Sequence, residues 1–287
     1  MPKTPFFSII IPTLNEEKYL PSLLKDLSEQ SFDLDQLEVI HVDGSSDDKT
    51  VAVAKEFGKK INLKSIVIKQ RNVATQRNTG SKKAKGEWII FMDADNRLPS
   101  HFLDGIKYQL AKHPQYQVFT SLIKVDSSNQ ADKAIETAFN LGLMLVNNSS
   151  LTGAMGAFIG THYSVCDEIK FDETQKIMED AFFIKAAIKK GFNFYIFNEP
   201  RWFFSLRRFK KEGALKSVRM IAKVQIRYVT GETDFSEINN GYVMQGGGYY
   251  QTPQKTHLLS NLEQYVKSAS KRQIQKAKQL LESLVLE

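Results

Sequence analysis

WIIFMDADNRLP, Trp88 to Pro99, sets two carboxylates one residue apart directly after an apolar run. The apolar half, WIIFM, reads as a buried strand. Asp93-Ala94-Asp95-Asn96 then has two readings. It is an ordinary turn leading into a helix that starts near Pro99, or it is a pair of acids fixed at a strand end to meet a ligand. The neighbours of this strand decide the fold, and the groups gathered at its end decide between the two readings.

Upstream, short β-branched runs alternate with helical patterns: FSIIIPT, LEVIHVD, KSIVIK and EWIIFMD are each followed by residues at helical spacing. Such alternation predicts a mostly parallel sheet with helices on both faces. In that architecture ligands bind beyond the carboxyl ends of the strands. Those ends carry Pro12-Thr13-Leu14-Asn15-Glu16, Asp43-Gly44-Ser45-Ser46 and Asp93-Ala94-Asp95, so polar and acidic groups converge on one rim and favour the ligand reading. Proline is tolerated in the first turn of a helix, so Pro21 places the first helix start near Tyr19 to Pro21 and leaves Asn15 and Glu16 in the loop. Ser46-Asp47-Asp48 before Thr50 reads as an N-cap with acids in the first turn, which leaves Asp43 for a ligand.

The second half differs. Ala131 to Val146 reads as a helix whose later part, AFNLGLMLV, is apolar nearly all round; a core helix is the favoured reading, with an apolar partner or membrane surface as the alternative. LTGAMGAFIG is strand-like, with Gly153 and Gly156 allowing close backbone approach. KIMEDAFFIKAAIKKG is a helical pattern that opens on a second acid pair, Glu179-Asp180, and ends at Gly191. YVMQGGGYYQTPQ reads as a loop. From His257 to Glu287, Leu259, Leu262, Val266 and Ala269 begin an amphipathic pattern with a lysine-rich opposite face. The chain thus divides into an α/β domain over 1–230 and a loop plus amphipathic helical C-terminal extension over 231–287.

With 287 residues, 42% hydrophobic and 25% charged, the composition is that of a folded globular protein able to bury a core. No charge-free apolar stretch approaches the roughly 18 residues of a membrane span, and MPKTPFFSIIIPTLNEE lacks signal-peptide anatomy, so a cytoplasmic location is expected. The single Cys166 excludes an intramolecular disulfide and a cysteine-based zinc site. A net charge of +7 points to an anionic partner. The basic residues are dispersed and match no nucleic-acid module, so nucleic acid is not expected as a partner.

Taken together, IIIPTLNEE, VDGSSDDKT, QRNTGSKKAKGEWIIFMDADNRLP and MEDAFFIKAAIKKGF resemble the family 2 glycosyltransferases with the GT-A fold, over Phe6 to Arg227. The resemblance implies a Rossmann-like, mostly parallel sheet and a transferase that uses a nucleotide-diphosphate sugar. It implies nucleotide binding by Pro12, Thr13, Asn15, Glu16 and Asp43, with Arg77 of Arg77-Asn78-Thr79-Gly80, Asp93 and Ala94 beside the same ligand. It assigns Asp95, with Asp93 directly or through water, to a divalent cation. Hard cations such as Mg²⁺ or Mn²⁺ take oxygen ligands, and would neutralise charge growing on the leaving diphosphate. It makes Asp180 the base that removes the acceptor's proton, with inversion, and Glu179 its structural or acceptor-touching neighbour; Asp180 and Glu179 read otherwise as first-turn acids favoured by the helix dipole. Arg207 and Arg208, in SLRRF, resemble a loop that closes over the diphosphate, or form a solvated charge run.

The Gln-X-X-Arg-Trp motif of processive synthases is missing, which favours single transfer. UDP is the expected nucleotide on family frequency, with GDP-mannose as the rival; a glycan, a lipid-linked molecule or a small molecule stands as acceptor. Two other functions compete with this one. A sugar nucleotidyltransferase would carry a glycine-rich loop after the first strand, and IPTLNEE has no glycine; an inert nucleotide- or carbohydrate-binding module would not need both acid pairs intact. Peripheral membrane contact and self-association through the C-terminal helix stay open.

Overall fold

The computed structural model describes residues 4–147, 157–175, 178–207 and 210. Gly153, Gly156, Arg208 and the whole of 231–287, with its expected loop and amphipathic helix, lie outside the described residues.

In chain order the elements are β1 (Phe7–Thr13), α1 (Leu20–Ser28), β2 (Leu37–Asp43), α2 (Thr50–Phe57), β3 (Leu63–Val67), α3 (Val73–Ser81), β4 (Trp88–Met92), α4 (Phe102–Lys112), β5 (Val118–Lys124), α5 (Gln130–Asn147), β6 (Phe158–His162), α6 (Tyr163–Glu168), α7 (Glu179–Lys189) and β7 (Phe194–Phe203). The strands form one seven-stranded sheet in the order β3-β2-β1-β4-β6-β5-β7. Only β6 runs antiparallel to its neighbours. The alternation of strand and helix in the sequence thus yields the expected mostly parallel sheet flanked by helices.

Every residue of β1 is buried, because side chains alternate between two covered faces. Ile9 and Ile11 join Leu20, Leu23, Leu24 and Leu27 of α1 in one core layer, and Ile10 joins Ile40, Ile89, Phe91 and Phe183 in the other. β1 and β2 pair in parallel with Thr13 opposite Asp43, and β1 and β4 with Ile10 opposite Phe91. The ends of these three strands therefore open on one side of the sheet. α3 lies close to β1: a Cβ on Gly80 would come within 2.4 Å of Ile10 Cγ2, so only glycine lets the helix settle at this depth.

Local signals held at helix ends. Tyr19 caps α1 with Pro21 in its first turn. α7 is followed by Gly191 at φ 98°, the left-handed conformation that glycine adopts without strain. Two expectations change. Lys49, not Ser46, is the N-cap of α2, which has no acid in its first turn; Asp48 still accepts the Thr50 N–H, at 2.9 Å, while Ser46 turns to Asp43 instead. The apolar stretch of α5 is not buried all round. The helix packs on β5 and β7, at the end of the sheet, so Asn140 and Leu143 are buried while Leu141 and Met144 stay exposed.

Candidate active site

The loops after β1 and β2 are laced together. Thr13 Oγ1 donates to Asp43 Oδ2 at 2.8 Å, and the Ser46 amide and hydroxyl donate to the two Asp43 oxygens at 2.7 and 2.6 Å. Asn15, at φ 57°, receives the Asp47 amide on Oδ1 at 2.8 Å and donates its own amide to Ser46 Oγ at 2.7 Å. The Glu16 amide donates to Thr50 Oγ1 at 2.7 Å. Pro12, Thr13 and Asp43 are all buried, and Asp43 has no exposed surface. The Asp43 carboxylate lies beneath the rim, and Asn15 and Ser46 lie nearer the surface.

Behind this loop His41 is fully buried, with Nε2 2.7 Å from Thr13 Oγ1 and Nδ1 2.9 Å from Ser65 Oγ. Because Thr13 gives its proton to Asp43, Nε2 carries the imidazole hydrogen and Nδ1 accepts from Ser65. Burial lowers the His41 pKa to about 4, with Asp43 opposing.

The second part of the rim follows β4. The Asp93 side chain is 38% exposed, against 13% for Asp95 and 12% for Glu179, so Asp93 is the most open of the three acids. Ala94 between the aspartates is buried in the core, beneath the rim. Desolvation raises the Asp93 pKa above its ordinary value; Arg77 opposes this, and Asp95 and Glu179 add to it. Arg97, next along the chain, forks onto Asp26 of α1 at 2.5 and 2.7 Å and pairs by backbone with Phe203. That bridge brings the end of β7, and with it Arg207, over the site.

Arg207 reaches back across 191 residues to hold Glu16 with both terminal nitrogens, at 2.7 and 2.6 Å, and its Nε lies 2.8 Å from Asp95. Its guanidinium stands over the Tyr19 ring. Burial raises the Glu16 pKa to about 7; Arg207 opposes, and Asp95 and Asp93 push it further up. Arg77 sits lower. It is 2% exposed, with one nitrogen 3.1 Å from Asp93 Oδ1 and the other 2.8 Å from Glu179 Oε1. Arg77 is buried as the tie between the acid strand end and α7, because two carboxylates converge there beneath the rim. Asp180, half-buried in the first turn of α7, accepts the Ala181 amide on Oδ1 at 2.8 Å and lies within electrostatic reach of Arg77.

The donor set suits a hard divalent cation. Glu16, Asp93, Asp95 and Glu179 bring negative charge around Arg77 and Arg207; burial is the main cause of the upward shifts at Glu16 and Asp93, and the neighbouring acids add to it. Among the described residues no three His, Cys, Asp or Glu side chains form a complete metal cage. Asp93 and Asp95 offer carboxylate oxygens of the kind such an ion takes.

Residues that sequence reasoning left out complete the site. Gln76 Nε2 donates to the carbonyls of Thr13 and Val42 at 2.6 and 2.9 Å, tying the ends of β1 and β2 together. Asn78, next but one, binds the backbone of Phe171. The available signal was Gln76-Arg77-Asn78 itself: three long polar residues in a row on a helix that has to lie against the sheet.

Glu16 and His41 give opposite pH dependences. Between about 4.5 and 7 the folded protein holds the Glu16 proton more tightly than the unfolded chain, so stability falls as pH rises; between about 4 and 6.5 the unfolded chain binds the His41 proton more tightly, so stability rises. Their effects offset one another in the shared window. Glu16→Gln is expected to leave a thermal midpoint that rises from pH 4.5 to 6.5, and His41→Asn one that falls. Midpoints that track the parent protein in both variants would show that neither shift exists.

Sheet order, helix cover and the acid-lined strand ends together define the GT-A class of fold. The chain belongs to glycosyl transferase family 2, whose family model matches residues 8–170. Among curated relatives, the poly(ribitol-phosphate) β-N-acetylglucosaminyltransferase TarS of Staphylococcus aureus is 24% identical over 204 residues, covering 70% of this chain and 36% of TarS. A dolichyl N-acetyl-α-D-glucosaminyl phosphate 3-β-D-2,3-diacetamido-2,3-dideoxy-β-D-glucuronosyltransferase of Methanococcus voltae is 32% identical over 206 residues, covering 66% of this chain and 64% of that enzyme. The chain thus spans little more than a third of TarS. TarS 1-349, solved with UDP-GlcNAc, superposes with a TM-score of 0.57 at 24% identity, over 69% of this chain and 58% of that one. The mannosyltransferase PcManGT of Pyrobaculum calidifontis, solved with GDP-Man and Mn²⁺, superposes at 0.61 and 18% identity, over 71% and 58%. These likenesses carry the fold. Among the described residues no helix is long and apolar enough to cross a membrane.

Proposed function

We propose that the chain moves a sugar from a nucleoside diphosphate sugar to an acceptor hydroxyl, once per encounter and with inversion. The observation that carries this is the convergence of Asp93, after β4, and Glu179, at the start of α7, on one buried arginine, Arg77, beside the laced loops of β1 and β2. The laced loops take the nucleoside. Asp93 and Asp95 hold a divalent cation, Mn²⁺ or Mg²⁺, which when bound supplies positive charge for the leaving diphosphate. Arg207 adds a second positive group at the same rim, and family position gives Arg208 the same task.

In the reaction the acceptor oxygen forms a bond to the anomeric carbon as the bond from that carbon to the diphosphate oxygen breaks. The bond's electrons leave with the diphosphate, and the acceptor's proton passes to the Asp180 carboxylate. Glu179, held by Arg77, keeps the first turn of α7 in register with the cation site. UDP is the nucleotide taken here, as in the TarS complex, with GDP the rival, as in the PcManGT complex. The names of both curated relatives include a phosphate-bearing acceptor, and a net charge of +7 suits an acceptor of that kind. An acceptor of that kind would be compatible with work on the cytoplasmic side of a membrane, in peripheral contact with it.

The test is a thermal-shift panel of UDP and GDP with and without Mn²⁺. A nucleotide at about 100 times its Kd stabilises by roughly 2.7 kcal/mol, so UDP with Mn²⁺ should raise the midpoint clearly and UDP alone much less. Asp95→Ala should abolish the metal-dependent part and leave the unliganded midpoint within a few degrees. Stabilisation that ignores Mn²⁺, or that survives Asp95→Ala, would remove the cation from the proposal.

A further inference from the structure

We propose that Asn78 is a positioning residue that fixes the first turn of α7, and with it Asp180, from the neighbouring helix α3; the inference rests on the assignment of Asp180 as the base. Asn78 is buried, and its amide is used at both ends. Oδ1 accepts the Phe171 N–H at 2.9 Å, while Nδ2 donates to the Phe171 carbonyl at 2.9 Å and to Glu173 Oε1 at 2.9 Å. Two more side chains of the same helix region grip this segment: Asn72 Nδ2 donates to the Glu173 carbonyl and Thr75 Oγ1 to Glu173 Oε2, each at 2.9 Å.

The grip reaches α7 through an aromatic stack. The Phe171 ring lies parallel to that of Phe183, with centroids 4.2 Å apart and 9° between planes, and meets Phe91 of β4 edge-on. Phe183 follows Asp180 by one helical turn, so the two lie on neighbouring positions of one face. Arg77 stands over the Phe171 ring while it holds Glu179. The first turn of α7 is therefore held at two points by adjacent residues of one helix: by charge at Glu179 through Arg77, and by stacking at Phe183 through the backbone that Asn78 clamps. Asp180 lies between the two points.

The chemistry of the clamp demands an amide. An aspartate at this position would set a carboxylate against the Phe171 carbonyl and the Glu173 carboxylate, and an alanine would leave Phe171's buried backbone unpaired. A base displaced by about 1 Å can lose on the order of 10² in rate while the donor site stays whole. That separation of rate from binding distinguishes positioning from general support of the fold.

The experiment compares Asn78→Ala, Asn78→Asp and the double variant Asn78→Asp/Glu173→Gln with the parent chain. Affinity for UDP with Mn²⁺ is measured by calorimetry, kcat by transfer or slow donor hydrolysis, and backbone order by hydrogen exchange. Asn78→Ala is expected to keep the donor Kd within about 3-fold and lose about 10- to 100-fold in kcat. Exchange should rise over 179–183 and stay unchanged in β1 and β2. Asn78→Asp should fall further, and adding Glu173→Gln should recover part of the loss, because it removes one of the two facing carboxylates. An unchanged kcat, or a donor Kd weakened as much as kcat, overturns the proposal. If the parent chain binds neither nucleotide, the transferase reading fails on its own, and exchange decides here: unaltered protection over 179–183 in Asn78→Ala overturns the positioning role.

Discussion

Replacing Asp180 with asparagine is expected to leave nucleotide and cation binding unchanged and to reduce transfer by about 10² to 10⁴. Asparagine has the same size and keeps an oxygen where Asp180 Oδ1 accepts the Ala181 amide, so the first turn of α7 keeps its local bond. What is lost is the ability to take a proton from the acceptor hydroxyl. The measurement sets donor affinity by calorimetry beside turnover with any acceptor found, or beside donor hydrolysis. Near-normal transfer would move the base elsewhere. Weakened donor binding would instead mark Asp180 as part of the cation or nucleotide site. Glu179→Gln should cost less in rate, because Glu179 is engaged with Arg77 at 2.8 Å.

Arg77→Met is expected to destabilise the protein by about 3 kcal/mol or more. Removing one partner of a buried ion pair typically costs about 3–5 kcal/mol, since the other charge stays buried without compensation. Arg77 is 2% exposed and compensates two carboxylates, of which Glu179 is 12% exposed and Asp93 38%. Water can reach Asp93 when the arginine is gone, so most of the cost falls on Glu179. Arg77→Lys should recover only part of the loss, because a single ammonium cannot reproduce the two-pronged contact. Thermal midpoints and denaturant titrations measure both; a change within about 0.5 kcal/mol for Arg77→Met would mean that the tie carries no stability.

The first four strands were readable from their β-branched and aromatic runs, and α1 because Pro21 stands in a first turn; β5 and β7 went unread, because no motif or acid pair marks where they fall. The acids at the strand ends were readable for the same reason: once the strands are placed, parallel register puts Thr13, Asp43 and Asp93 on one rim. What escaped is contact between residues far apart in sequence. Arg77 and Glu179 are separated by 102 residues, and Arg207 and Glu16 by 191; nothing in either neighbourhood shows that the first pair meets in the interior and the second above the acid strand end. Ser46 was misread because a serine before a helix satisfies the capping pattern equally well whether it caps the helix or, as here, bonds to Asp43. Asn78 was quoted within a motif and given no task, since its partners, Phe171 and Glu173, lie in a segment with no regular structure.

The lacing of the loops after β1 and β2 has a consequence for the economy of recognition. Fixing the backbone of one residue costs roughly 1–2 kcal/mol in conformational entropy, and a site that orders its loops on binding spends part of each ligand contact on that task. Here Asn15, Glu16, Ser46 and Asp47 are already bonded across the gap before any ligand arrives. Under the proposed function a nucleoside would meet a surface cast in advance, so that more of its contacts would go into affinity. The same bonds would limit how far these loops adjust to bases of different size.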